Sequence, residues 1–329
     1  MDARKVLEMG GGTLLISLPK DWARRNGVRK GATVAVDELS PRKLIVRPIE
    51  DIADKPREIE VGYPGEDLSV VINEITGAYL LGFDVIRIVG KRMISREDRA
   101  KLKAAMARLV GLEIMDEDAK RVTVQFLLES SAIVPEKIVR RMSSILDGML
   151  KDIAEGLTKG DSKLLGLVAE RDDDVDRLYF LLVRAIRAAI MRPELAEGYG
   201  LSPVDVLDYR VLASFLESVG DAVSELSQTL HRSRSSSQLS RDLAACVMRL
   251  KQMNDLATQA FISRRAGRPR SVNLAVGSLA NEMSQDLGRI AQLPVAQGVS
   301  MAERLGSIER VSKLLVDVSD LAVITQPVS

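Results

Sequence analysis

The chain has 329 residues, more than one small core requires, and reads as two or three domains. One cysteine, Cys246, and one histidine, His231, exclude an internal disulfide and a Cys/His zinc cage, so any metal must be held mainly by carboxylates. Aromatic residues are 3% of the chain, too few for the stacking platforms that grip single strands, and a net charge of +1 excludes a chain that binds polyanions over its whole surface.

The opening MDARKVLEMGGG has no apolar core of signal-peptide length. No stretch approaches the roughly 20 apolar residues of a membrane span. The apolar tract at 204–216 is broken by Asp205, Asp208 and Arg210. The expected location is the cytoplasm, without membrane insertion.

Residues 1–50 read as β-rich and carry excess Lys and Arg. Strands are expected at 5–9 and 13–18 around Gly10-Gly11-Gly12, where positive φ permits a tight turn. Pro19 then opens a short helix with Trp22 and Ala23 inward, Arg24 and Arg25 towards solvent, and Gly27 at its end. A second hairpin, 33–36 with 43–47, turns at Ser40-Pro41. Such a segment is too small to bury a core alone and should dimerise to complete one.

Residues 51–130 change character. A helix is expected at 68–81 and a strand at 84–89. Ser95 caps a helix over 96–110 with Glu97 and Asp98 near its positive end, and strands follow at 113–115 and 121–128. This is a compact α/β unit without a phosphate-cradling glycine motif.

From about 133 the periodicity is helical, as in Ile138, Met142, Ile145, Met149 and Ile153. Six long helices are expected near 134–158, 161–191, 202–232, 237–264, 271–292 and 300–325, packed antiparallel as two three-helix halves. Breaks fall at Lys159-Gly160, 193–200, the serine-rich 233–237, 267–269 and 297–300.

Carboxylates recur on these helices. Glu170, Asp172, Asp173, Asp174 and Asp176 lie on the second, and Glu217, Asp221 and Glu225 on the third. Glu282 with Asp286 lies on the fifth, and Glu309 with Asp317 on the sixth. Residues four apart share a helix face, and facing carboxylates repel unless a cation lies between them. The competing reading is of solvated faces pairing with Arg and Lys.

The stretches Leu212-Ala-Ser-Phe-Leu-Glu-Ser-Val-Gly-Asp221, Val168-Ala-Glu-Arg-Asp-Asp-Asp-Val-Asp-Arg-Leu178 and Ile308-Glu-Arg-Val-Ser-Lys-Leu-Leu-Val-Asp317 resemble the repeated acidic helices of the PhoU family, over residues 133–326. That resemblance implies paired three-helix bundles, restraint of phosphate uptake and signalling, and iron or zinc bound through these motifs. It carries over Glu170, Asp174, Glu217 and Asp221 as ligands, with Asp173 and Asp176 as an alternative register. In the second half Lys313 replaces the family's Asp, and a charged lysine cannot ligate.

Residues 4–48, with Gly-Gly-Thr-Leu-Leu-Ile-Ser-Leu-Pro-Lys-Asp-Trp22 and Gly27-Val-Arg-Lys-Gly-Ala-Thr-Val34, resemble the SpoVT/AbrB swapped-hairpin family, which dimerises and binds DNA. Arg4, Lys5, Lys20, Arg24, Arg25 and Lys30 are the cations that resemblance presents to DNA, in salt-dependent contact with phosphates. The combination is similar to archaeal phosphate-uptake regulators of the PhoU family. The implied fold class is multidomain α+β: a swapped-hairpin, β-barrel-like domain at 1–50, an α/β unit at 51–130 and an all-α six-helix bundle at 131–329.

Arg264-Arg-Ala-Gly-Arg-Pro-Arg270 resembles an AT-hook but has Ala266 where a further arginine would help, and is read as a basic interhelical loop. The expected function is a dimeric, DNA-binding, phosphate-responsive regulator. The alternative is an interaction protein that docks on a phosphate transporter's ATPase or a signalling kinase without binding DNA. A di-iron enzyme would need a Glu-x-x-His pair, and Gln228 precedes His231 by three. No nucleophile–base arrangement is evident, so no enzymatic activity is expected.

Overall fold

The computed structural model describes residues 3–40, 43–48, 56–63, 67–129, 132–231, 237–264, 269–293 and 299–322. These residues fall into two compact units, 1–56 and 57–329. Both expected domain boundaries, at 50/51 and 130/131, lie outside the described residues, as do most of the loops expected at 233–237, 267–269 and 297–300.

In the first unit, β1 (Leu7–Met9) pairs antiparallel with β2 (Thr13–Leu15). Gly11 and Gly12 turn the chain between them at φ +96° and +84°, a region costly for any residue with a Cβ. Helix α1 (Lys20–Arg25) follows Pro19, with Trp22 and Ala23 half-buried and Arg24 and Arg25 exposed. β3 (Val34–Ser40) and β4 (Lys43–Pro48) form the second hairpin, with Val36 opposite Val46. Within the one chain the described strands make two separate two-stranded sheets and no closed barrel. The strand expected to reach residue 18 stops at Leu15. No residue of this unit whose side-chain exposure is described is buried.

The second unit begins with a four-stranded sheet in the order β5-β6-β8-β7. β5 (Glu58–Tyr63), absent from the expected elements, pairs parallel with β6 (Val85–Gly90), and helix α2 (Leu68–Leu80) is the crossover between them. Asp67 caps α2 by accepting the Ser69 N–H at 2.8 Å. Ser95 caps α3 (Arg96–Ala107) by accepting the Asp98 N–H at 3.0 Å, as expected, although α3 stops three residues earlier than the sequence suggests. β7 (Leu112–Glu117) and β8 (Arg121–Phe126) close the sheet as an antiparallel hairpin.

The long helices are α4 (Pro135–Lys159), α6 (Asp172–Met191), α8 (Pro203–His231), α9 (Ser237–Ser263), α10 (Pro269–Ala291) and α11 (Val299–Asp320). The helix expected over 161–191 is instead α5 (Ser162–Val168), a 3₁₀ turn at Ala169–Arg171, and α6. A short helix, α7 (Pro193–Gly198), occupies part of the expected break.

Helices α4, α6 and α8 pack on one another, as do α9, α10 and α11, and the α4–α9 and α8–α11 contacts join the two halves. Ile138, Met142, Ile145, Met149 and Ile153 of α4 are all buried, as their spacing requires. The sheet and the helices share one hydrophobic core. No described helix is long and apolar enough to cross a membrane.

Candidate functional site

Asp172 is the first residue of α6, Asp176 lies one turn later on the same face, and α8 brings Asp221 against them. One carboxylate oxygen from each lies within 4.8 Å of the other two, the only such group of three among the described residues. Gly220 permits this approach of α6 to α8. A Cβ there would stand 2.9 Å from Asp172 Oδ1 and 3.2 Å from Val175 Cγ1. Asp172 Oδ1 is buried and accepts no hydrogen bond.

A carboxylate oxygen held this way, with like charges beside it, disfavours ionisation. Burial pushes Asp172 up to about 6, helped by the charges of Asp221, Asp176, Asp173 and Glu217. Burial also raises Asp176, although the Arg108 guanidinium pairs with it and pulls the other way. Glu217, half-buried one turn before Asp221, is raised first by burial and then by Asp221 and Asp176. The set is therefore short of positive charge, carries an unpartnered buried oxygen and offers only oxygen donors. Those features fit a hard or borderline cation.

Of the residues expected as ligands, Asp176 and Asp221 come together, and Glu217 stands close enough for their charges to act on it but outside the group of three. Glu170, Asp173 and Asp174 are exposed, and Asp174 lies 3.9 Å from Arg177. Asp172, part of the acidic run but not of the expected ligand set, takes the central place. The signal for it was in the sequence. Asp172 is four residues after buried Val168 and three before buried Val175, so it lies on the stripe that faces the core.

The second half differs. Asp286 is paired with both Arg249 and Arg289, Glu309 lies 2.8 Å from Lys313, and Glu282 accepts from the Ser278 hydroxyl at 3.3 Å. Asp317 is exposed. His231 binds the Ser162 carbonyl and Cys246 is buried, so neither approaches a ligand role.

In the first unit, Arg4, Lys5, Lys20, Arg24, Arg25 and Lys30 are all exposed, and so is Arg29, which is not among the expected DNA-facing cations. Arg24 lies 2.7 Å from Asp21. Arg264, the first residue of the hook-like run, is buried against Asp205 at 2.7 Å, and residues 265–268 lie outside the described set.

Residues 139–230 match the family model of the PhoU domain. The matched PhoU span covers nearly all of α4 through α8 and so includes Asp172, Asp176, Glu217 and Asp221. Residues 9–54 match a second family, described as "Antidote-toxin recognition MazE, bacterial antitoxin". Two solved structures are similar to the chain. PhoU from Pseudomonas aeruginosa is 16% identical with a TM-score of 0.45, covering 57% of this chain and 93% of its own. The phosphate transport system regulatory protein PhoU from Streptococcus pneumoniae is 12% identical with a TM-score of 0.43, covering 57% and 91%. Comparison with the curated proteins gives no match.

Proposed function

We propose that the chain is a cytoplasmic, non-enzymatic regulator of phosphate uptake that dimerises and binds DNA through its first unit, with a metal-binding PhoU domain as its responsive part. One observation carries the first claim. No residue of the unit whose side-chain exposure is described is buried, yet the unit exposes Val6, Leu7, Met9, Leu14, Ile16, Val36 and Leu44, each at least 57% accessible. Two hairpins with apolar faces open to water need a cover, and a second copy of the same hairpins supplies one. The MazE-family match and the exposed cations support DNA as the partner of the completed dimer. The PhoU-domain match supports phosphate uptake as the regulated process and a phosphate transporter or its signalling kinase as the site of action.

Asp172, Asp176, Glu217 and Asp221 would hold the metal, iron or zinc, which would supply the positive charge that four clustered carboxylates need.

Anisotropy with duplex promoter DNA across a salt series tests the DNA claim. Binding should weaken with salt at a slope of about −0.9 per phosphate contact, and Arg24→Ala with Arg25→Ala should flatten that slope by roughly 2. A folded dimer that binds no DNA at low or moderate salt would remove DNA from the function and leave docking on a protein partner. Leu14→Asp should convert the dimer to monomer in sedimentation.

A further inference from the structure

Arg108 caps the C-terminus of α3, in the α/β part of the chain and outside the residues that match the PhoU domain. Its guanidinium crosses to Asp176 on α6, 68 positions away in sequence. Among the described residues it is the only Lys or Arg that forms an ion pair with Asp172, Asp176 or Asp221. The Arg108 side chain is 50% exposed, so it can leave without opening a void, whereas that of Asp176 is 22% exposed and held on α6. Met106 and Leu109, both buried, keep the end of α3 docked, so departure of the guanidinium loosens that end without releasing it.

A guanidinium has donors only and cannot ligate, and its charge repels an incoming cation. Oδ2 of Asp176 is the oxygen that Arg108 holds, so a metal bound to Asp172 and Asp221 that recruits Asp176 draws on a carboxylate already engaged by a guanidinium whose charge opposes the ion. We infer that Arg108 is a tethered counter-cation that competes with bound metal for Asp176, so that occupancy of the PhoU-domain site is transmitted to α3 and the α/β sheet. This inference rests on the carboxylate cluster being the metal site. It adds a part that the matched domain does not contain, and the coupling is reciprocal: whatever firms the docking of α3 on α6 weakens the metal, and the reverse.

The test is calorimetric titration of the full chain with Mn2+ and, separately, Zn2+. Arg108→Ala should tighten binding, by roughly five- to a hundredfold if the coupling is of ordinary size. Arg108→Lys, which keeps the charge, should stay near wild type. In an Asp176→Asn background, Arg108→Ala should change affinity less than about twofold, because the group they compete for is gone. In the wild type, Mn2+ should raise amide exchange across residues 105–110, and in Arg108→Ala it should not.

The outcomes separate. Binding that Asp221→Asn abolishes but Arg108→Ala leaves unchanged or weakens overturns the role of Arg108 and keeps the site. Absence of binding to either ion, in wild type and Arg108→Ala alike, overturns the site and the inference together. Tighter binding in Arg108→Ala without any exchange difference at 105–110 overturns the transmission to α3.

Discussion

Replacing Arg184 with Ala should weaken the attachment of the sheet to the helices more than any surface change could. The side chain leaves α6 and is only 4% exposed. Nη1 donates to the Tyr79 carbonyl at 2.6 Å and the Phe83 carbonyl at 2.9 Å, and Nη2 donates to Asp84 Oδ1 at 3.3 Å. The guanidinium carbon stands 3.7 Å from the Phe126 ring centroid and 5.1 Å from that of Tyr79. A cation here also meets the negative end of α2, whose last turn carries Tyr79. Burial pulls Arg184 down to about 10, so it remains charged at neutral pH.

Truncation loses two or three charge-assisted hydrogen bonds, at about 1.5–3 kcal/mol each, and a ring contact of about 1 kcal/mol. Relief of the buried guanidinium's desolvation returns part of this, leaving a net loss of about 3–4 kcal/mol, in the range for breaking one side of a buried polar cluster. Urea unfolding of the full chain, followed by far-UV circular dichroism, should show an earlier transition, split so that the sheet melts before the helices. Arg184→Met, which keeps an apolar stem on Phe126, should recover roughly 1 kcal/mol of packing. A loss below about 1 kcal/mol in Arg184→Ala, with one unsplit transition, would mean that the apolar contacts alone hold the sheet and that the cation is incidental.

Two further substitutions read out individual contacts. Burial pushes Asp147 of α4 up to about 6, opposed by the Asn254 amide that donates to it at 2.9 Å and reinforced by a hydrogen bond with Asp255. A carboxyl whose pKa rises on folding contributes stability that is complete below its unfolded value and disappears as pH climbs through its folded one. Asp147→Asn should therefore gain about 1–2 kcal/mol at pH 8, allowing for screening, and nothing at pH 4, in paired urea midpoints. Gly220→Ala sets a methyl 2.9 Å from Asp172 Oδ1 and should cost about 1–3 kcal/mol in thermal unfolding while reducing metal uptake, since Asp172 must rotate away.

The sequence was most informative where one face decides an element. The α4 stripe, the Ser95 cap and the Gly11–Gly12 turn all follow from period and backbone chemistry. Strand β5 was also written there: Ile59, Val61 and Tyr63 alternate with Glu58, Glu60 and Gly62 after Pro56, and Val61 and Tyr63 are buried. Its six residues carry little periodic weight beside the 13-residue helix that follows, so the pattern alone does not set it apart. The 3₁₀ turn at Ala169–Arg171 was not legible, because no Gly or Pro marks it. The resemblance to the family's acidic helices points to Glu170 and Asp174, whereas the core-facing stripe of α6 carries Asp172. Arg108 and Arg184 are opaque to sequence for another reason. Each joins residues 68 to 105 positions apart, and no local pattern encodes such a pairing.

The two halves of the helical bundle differ in charge more than in fold, and that difference fixes a stoichiometry. In the first half, among the described residues, only Asp176 of the three clustered carboxylates has an ion-pair partner, Arg108, and Asp172 Oδ1 is buried without a hydrogen bond. In the second half Asp286 alone takes two arginines, Arg249 and Arg289, and Lys313 sits on Glu309. A divalent ion entering there would displace two guanidinium groups from one carboxylate and gain little for it. The chain should therefore bind one metal ion or one compact cluster at the first half and none at the second. Elemental analysis against protein concentration gives the count. Asp221→Asn should abolish the bound metal and Asp286→Asn should leave it unchanged. Metal that survives Asp221→Asn but is lost with Asp286→Asn would place the site among the paired carboxylates and refute the argument from uncompensated charge.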